Sequence, residues 1–166
     1  PCVPAPGSTS NPACFNSQWV PTDPTQSYGT APAYDDTDIW GVALTMDWDA
    51  TDWLSVKSIT SYRNTESEFS IDQDHSPITI AQVLTIFEHE QFSQEIQFQG
   101  RAINDRLNWI VGLYYFTEQA DSLESVTFSV VDFQSGGSID NDSLAAFTQT
   151  TFDVTDKLSI TGGLRY

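Results

Sequence analysis

Ile39-Trp40-Gly41-Val42-Ala43-Leu44-Thr45-Met46-Asp47-Trp48 runs into Asp49-Ala50-Thr51-Asp52 and returns as Trp53-Leu54-Ser55-Val56-Lys57-Ser58-Ile59-Thr60-Ser61-Tyr62-Arg63. In the first arm Trp40, Val42, Leu44, Met46 and Trp48 take alternate positions, with Gly41, Ala43, Thr45 and Asp47 between them. Successive side chains of a strand point to opposite faces, so strict alternation over this length predicts a strand between two different environments. The second arm puts Leu54, Val56, Ser58, Thr60 and Tyr62 opposite Ser55, Lys57, Ile59, Ser61 and Arg63. An Asp-bearing turn between two such arms reads as an antiparallel hairpin. Each arm is about ten residues long, the length a tilted strand needs to cross a bilayer, against about five or six for an ordinary globular strand.

The same unit recurs twice. His89, Gln91, Ser93, Glu95, Gln97 and Gln99 alternate with Phe92, Gln94, Ile96 and Phe98; the turn Ala102-Ile103-Asn104-Asp105-Arg106 follows; then Leu107, Trp109, Val111, Leu113 and Tyr115 share a face with Asn108, Ile110, Gly112, Tyr114 and Phe116 behind. In the third unit a strand from about Ser143 to Phe152 leads through Asp153-Val154-Thr155-Asp156-Lys157 to a strand opening at Leu158. Its first arm leaves open whether Ala145/Phe147/Gln149/Thr151 or Leu144/Ala146/Thr148/Thr150/Phe152 is the apolar side. Long polar segments separate the units: Pro1 to Asp36, roughly Asn64 to Thr85, and roughly Thr117 to Asn141. Trp48, Trp53, Trp109 and Phe152 flank the short turns, and Tyr62, Tyr115 and Phe116 lie toward the opposite strand ends, as in the aromatic girdles at two water interfaces.

Short turns at one side and long loops at the other predict an all-β fold: an antiparallel up-and-down transmembrane β-barrel fragment of about six strands with short periplasmic turns and long extracellular loops. Residues 1–36 read as a Pro/Ser-rich extracellular loop and residues 37–166 as part of the barrel. Such barrels need at least eight strands, and an open sheet in lipid leaves edge donors unpaired at several kcal/mol each, so neighbouring strands from elsewhere in a longer chain are expected. The absence of an initiating Met, and an end inside the strand pattern at Gly162-Gly163-Leu164-Arg165-Tyr166, agree with an excised fragment.

The chain has 166 residues, six Lys+Arg and 23 Asp+Glu, for a formal charge of -17. That balance excludes nucleic acid as a partner, because phosphates need basic side chains to replace their counterions. It also disfavours a polybasic membrane-surface segment. No run of about 18 apolar residues predicts a transmembrane helix, and no basic stretch followed by an apolar one marks a signal peptide.

Cys2 and Cys14 share a Pro/Ser/Asn-rich stretch and are a candidate disulfide; two free thiols are the main alternative, and a metal site lacks further nearby Cys or His ligands. Glu66, Glu68, Asp72, Asp74 and His75 concentrate acids in one loop, but the spacing does not match a twelve-residue calcium loop, so a solvated acidic loop is expected and no metal ligand is assigned. Glu88, His89 and Glu90 face alternate ways and cannot converge on one ion; His89 is expected to line the lumen or a loop base. Glu95, Gln97 and Gln99, opposite Lys57 and Arg63, suggest cross-strand ion pairs and hydrogen bonds. No Gly-Xaa-Ser-Xaa-Gly, His-Glu-Xaa-Xaa-His or phosphate-cradling loop is present, so neither an enzyme nor a cofactor is expected. Loops 64–86 and 117–141, with Phe69, Phe87, Phe128 and Phe133, are the candidate ligand surface, with no individual binding residue assigned.

Four segments resemble one family: Leu54 to Arg63, Phe92-Ser93-Gln94-Glu95-Ile96-Gln97, Leu107 to Phe116, and Ala145-Ala146-Phe147-Thr148-Gln149 through Asp156 to Tyr166. They are similar, in order and spacing, to the barrel of TonB-dependent outer-membrane receptors, over about Ile39 to Tyr166, and most of all to the siderophore-receptor-like branch. The resemblance implies a 22-stranded barrel plugged by an N-terminal domain that takes up scarce nutrients, ferric siderophores first among them. It further implies a Gram-negative outer-membrane location, outer-membrane lipid around the wall, and energy from the inner-membrane TonB complex. The plug and the TonB box are not among these residues. A passive porin-like barrel and a secreted soluble β-sandwich are the rival readings.

Overall fold

The computed structural model describes residues 20–128 and 131–166. Six strands follow in chain order: β1 (Tyr34–Thr51), β2 (Leu54–Asp72), β3 (Ala81–Ala102), β4 (Leu107–Phe128), β5 (Val131–Thr155) and β6 (Leu158–Arg165). They form one sheet in the order β1-β2-β3-β4-β5-β6, each strand beside its predecessor, as short links between antiparallel strands require. Among the described residues there is no helix, and so none long and apolar enough to cross a membrane.

The short turns begin one to three residues later than expected, and the last two end where expected, at Arg106 and Lys157. β1 keeps its ladder to Thr51 and turns at Asp52-Trp53; β5 keeps its ladder to Thr155 and turns at Asp156-Lys157. In the latter the register slips between Asp153 and Thr155, which leaves Val154 as the extra residue of a β-bulge. Arg106 from the neighbouring turn fastens that bulge, its guanidinium donating to the carbonyls of Asp153 (2.8 and 3.0 Å) and Val154 (2.6 Å). The Asp153 N–H returns a bond to the Arg106 carbonyl at 2.8 Å. Between β3 and β4, Ile103, Asn104 and Asp105 all have positive φ (57°, 54° and 62°). Asn and Asp tolerate that region; the β-branched Ile103 is strained there.

The largest difference from expectation is strand length. Residues 64–72 belong to β2, 81–85 to β3, 117–128 to β4 and 131–141 to β5, so most of the two expected loops is paired strand. β1 likewise begins at Tyr34, ahead of Ile39. The link between β2 and β3 shrinks to residues 73–80. A ladder needs only backbone donors and acceptors, so it continues where both faces meet water and apolar periodicity disappears.

The chain divides into two compact units. Described residues of unit 1 lie within Pro1–Asp38, Glu66–Phe87 and Asp121–Gly137; those of unit 2 lie within Ile39–Thr65, Glu88–Ala120 and Ser138–Tyr166. Among the described residues the buried hydrophobic side chains are Ala81, Val83 and Ala145. A soluble sandwich of comparable size would bury a set of Leu, Ile, Val and Phe between its sheets.

Candidate functional site

In unit 2, side-chain contacts sort the strands onto two faces. Trp40 meets Tyr62 with ring centroids 5.2 Å apart, Gln94 bonds Thr60 (2.6 Å) and Ser58 (3.0 Å), and Phe92 meets Tyr115 at 6.4 Å. One face therefore joins Trp40, Val42, Leu44, Met46 and Trp48 to Leu54–Tyr62 at even positions, to Phe92–Phe98 at even positions, and to Trp109–Tyr115 at odd positions. The β5–β6 register settles the strand that periodicity left open: Thr148, Thr150 and Phe152 stand opposite Leu164, Gly162 and Ile160, whereas Phe147, Gln149 and Thr151 stand opposite Arg165, Gly163 and Thr161. Leu144, Ala146, Thr148, Thr150 and Phe152 thus continue the apolar face.

The exposure of this face is inverted relative to a water-soluble sheet. On the interior strands β3 and β4, Ile96, Phe98, Val111, Leu113 and Tyr115 are exposed, while Gln91, Ser93, Glu95, Gln97, Tyr114 and Phe116 on the other face are half-buried and Gly112 is buried. Leu144 (78%) and Leu164 (80%) are almost bare. Apolar surface left in water costs about 25 cal/mol per Å², and monomeric proteins seldom leave a contiguous patch of this extent uncovered.

Ion pairs collect on the opposite face. Lys57 Nζ lies 3.2 Å from Asp47 Oδ1, and His89 Nε2 lies 3.3 Å from Glu118 Oε2, whose other oxygen accepts from Asn141 Nδ2 at 3.1 Å. Gln97 donates to Glu95, and Gln99 to Gln97, along one strand. Here an expectation is corrected: Lys57 pairs with Asp47 on β1, Glu95 accepts from Gln97 within β3, and among the described residues no ion pair joins Lys57 or Arg63 to Glu95. His89 does stand apart from Glu88 and Glu90, as alternation requires, and its partner comes from β4. Arg165 lies over the Tyr114 ring at 5.2 Å, and the Phe147 ring packs so closely on Gly112 that a Cβ there would lie 2.2 Å from Phe147 Cζ.

In unit 1 the acidic segment is a hydrogen-bonded knot. Asp72 is 2% exposed and Ser76 fully buried. Asp72 Oδ2 accepts from the N–H of Thr30 (2.6 Å) and Ala31 (3.2 Å), and Oδ1 from the N–H of Asp74 (3.1 Å) and His75 (2.9 Å). Asp74 in turn accepts from the Ser76 N–H (3.0 Å) and hydroxyl and, on Oδ2, from the N–H of Ile80 (3.2 Å) and Ala81 (2.9 Å). Burial pushes the Asp74 carboxyl up, but the Ser76 hydroxyl and the N–H groups of Ala81, Ser76 and Ile80 outweigh it and hold it below the usual carboxylate value. The Tyr34 hydroxyl donates to Glu68, which with the nearby negative charges holds the phenol above its usual value.

The expected solvated acidic loop is therefore corrected at Asp72 and Asp74, whose oxygens are taken by backbone donors; Glu66 and Glu68 are exposed. No group of three or more His, Cys, Asp or Glu able to hold a metal occurs among the described residues. Phe69, Phe87, Phe128 and Phe133 are exposed in unit 1. Cys2 and Cys14 lie outside the described residues. The Asp72 knot was not foreseen; the Asp-Xaa-Asp-Xaa-Ser-Pro run at residues 72–77 carries its only local signal, since Asp and Ser side chains bond the backbone two residues on.

A sequence profile of the family described as TonB dependent receptor-like, beta-barrel matches residues 4–166. No curated protein matches the sequence. Among solved structures, the ferric yersiniabactin uptake receptor FyuA from Yersinia pestis is similar, with a TM-score of 0.64 at 18% identity. The likeness covers 79% of this chain and 20% of that one, so the chain spans about a fifth of that receptor's length and shares its fold.

Proposed function

Because the chain belongs to the TonB dependent receptor-like β-barrel family, we propose that it forms part of the wall of an outer-membrane receptor that takes up a scarce nutrient, with ferric siderophores as the substrate class. In this reading the apolar face of unit 2 meets lipid and the polar face meets the water and protein of the lumen. Uptake is active, with energy supplied by the inner-membrane TonB complex through parts of the protein outside this chain.

The observation that carries the reading is the inverted polarity of unit 2. Exposed Ile96, Phe98, Val111 and Leu113 on interior strands are costly in water and favourable in hydrocarbon. From Trp40 to Trp48, at about 3.3 Å per residue, β1 covers about 26 Å, close to the roughly 25 Å apolar band of such barrels. Trp48, Trp109 and Phe152 mark one border of that band, and Trp40, Tyr62 and Tyr115 the other. FyuA, which shares the fold, is by its description a ferric yersiniabactin uptake receptor, and that supports the substrate class proposed here.

The test is a gene deletion in the native host, grown under iron restriction with single ferric chelates as the iron source. Loss of growth on one chelate, restored by the intact gene, is the expected result. Unchanged uptake of every ferric chelate would remove the substrate class, and recovery of the full-length protein from the soluble fraction without detergent would remove the receptor reading itself.

A further inference from the structure

The 20–33 segment carries no strand, yet a single buried side chain joins it to the 72–81 loop. Asp72 receives Thr30 and Ala31 N–H groups on one oxygen and Asp74 and His75 N–H groups on the other. Gly29 permits the approach, because a Cβ at that position would lie 3.2 Å from Asp72 Oδ2. Other bonds across the same seam are exposed: Ser70 Oγ to the Pro32 carbonyl, Gln82 Nε2 to Thr30 Oγ1, and Ser27 with His75. Water competes for each of those and leaves little net gain. All six Lys and Arg lie in unit 2, so among the described residues of unit 1 hydrogen-bond donors offset the buried carboxylate without a Lys or Arg.

We propose that Asp72 is a latch: it clamps the 20–33 segment to the 72–81 loop so that the two present one surface, and without it the segment detaches while the sheet persists. Burial of a polar anchor makes such a contact all-or-none, since a carboxylate with some of its donors removed loses its compensation for leaving water. The functional consequence, a preorganised outward surface for ligand, rests on the receptor reading; the latch does not, and each fails on a different measurement.

The experiment is chymotrypsin digestion of the intact protein in detergent. Tyr28 and Tyr34 bracket the latched residues, and residues 1–56 contain no Lys or Arg, so trypsin is uninformative there. Asp72→Asn keeps the shape but turns an amide toward N–H groups. Cleavage at Tyr28 is expected to be at least tenfold faster than in the wild type, with unchanged heat-modifiable migration on a detergent gel. Thr79→Ala, which removes an exposed 3.5 Å contact to Thr30, is expected to cleave at the wild-type rate. Equal cleavage of D72N and wild type overturns the latch. So does loss of heat-modifiable migration in D72N, which would make Asp72 a support of the whole sheet. In the wild type itself, open-chain amide exchange at Thr30 and Ala31 overturns it without any variant.

Discussion

Unit 2 leaves its large apolar side chains bare and confines its ion pairs to one face; unit 1 has no Lys or Arg at all and secures its irregular segments with carboxylates bonded to backbone N–H groups. Both share one kind of strand ladder. The difference teaches that backbone pairing is indifferent to solvent and that side-chain polarity records which solvent surrounds each part. On the proposed receptor reading, the apolar face of unit 2 meets hydrocarbon and unit 1 does not.

The hardest blow to that contrast is a charge on the apolar face. Leu44→Arg, midway between Trp40 and Trp48, is expected to cost about 2 to 4 kcal/mol in lipid, and Thr45→Arg, one residue along and on the other face, below about 1 kcal/mol. Urea midpoints of the protein folded into vesicles measure both. If water surrounded unit 2, both positions would be ordinary surface sites with effects within about 0.5 kcal/mol. Equal midpoints would remove the hydrocarbon from the argument.

A second break falls on unit 1. Asp74→Ala leaves the N–H groups of Ser76, Ile80 and Ala81 and the Ser76 hydroxyl without their acceptor, and is expected to destabilise the loop by about 1 to 3 kcal/mol while unit 2 keeps its heat-modifiable migration. The Asp74 carboxyl is held below its usual value, so its contribution is present above the unfolded value near pH 4 and is lost as pH falls through the lowered folded value. Protection of the Ile80 and Ala81 amides, referred to the intrinsic exchange rate at each pH, is therefore expected to fall below about pH 4 in the wild type, and to show no such step in the variant. A variant loop as protected as the wild type would mean that unit 1 does not depend on its carboxylates.

What the sequence made legible follows the same division. In unit 2 the two faces of β1 to β4 could be read by alternation, because an apolar residue stands at nearly every second position of one face. β5 resisted, since Thr148 and Thr150 on one face and Ala145 and Phe147 on the other blur the contrast until pairing with Ile160 and Leu164 resolves it. In unit 1 the strand between Glu66 and Asp72 was unreadable, because Glu66-Ser67-Glu68-Phe69-Ser70 carries no apolar period. The Asp72 contact to Thr30 joins residues far apart in the chain and leaves no trace in local pattern, although the neighbouring Asx-type turns do.

Within unit 2 the apolar face carries a polar cluster around Gln94, which sharpens the comparison. Thr60 Oγ1 donates to Gln94 Oε1 at 2.6 Å, and Gln94 Nε2 donates to Ser58 Oγ and the Glu95 carbonyl. In hydrocarbon these groups must satisfy each other. Thr60→Val orphans the Gln94 oxygen and is expected to cost about 1 kcal/mol, with Thr60→Val plus Gln94→Leu recovering that loss or exceeding wild-type stability. In water the single change would be near neutral and the double change would gain nothing, so the sign of coupling in vesicle midpoints reports the solvent at that depth.

The smallest expected effect lies on the polar face. Lys57 and Asp47 form a 3.2 Å pair whose side chains remain about one-third and two-thirds exposed. Such a pair is worth about 0 to 1 kcal/mol, because high dielectric weakens the attraction and ordering two side chains costs entropy. Lys57→Ala is therefore expected to shift the urea midpoint by less than Thr60→Val, and the shift is expected to vanish in about 1 M salt, where the Debye length contracts to about 3 Å. A loss of several kcal/mol that salt leaves untouched would place Lys57 in a dry environment. The polar face would then be packed against protein at that point instead of open water, and the division of solvents drawn between the two faces would have to be redrawn there.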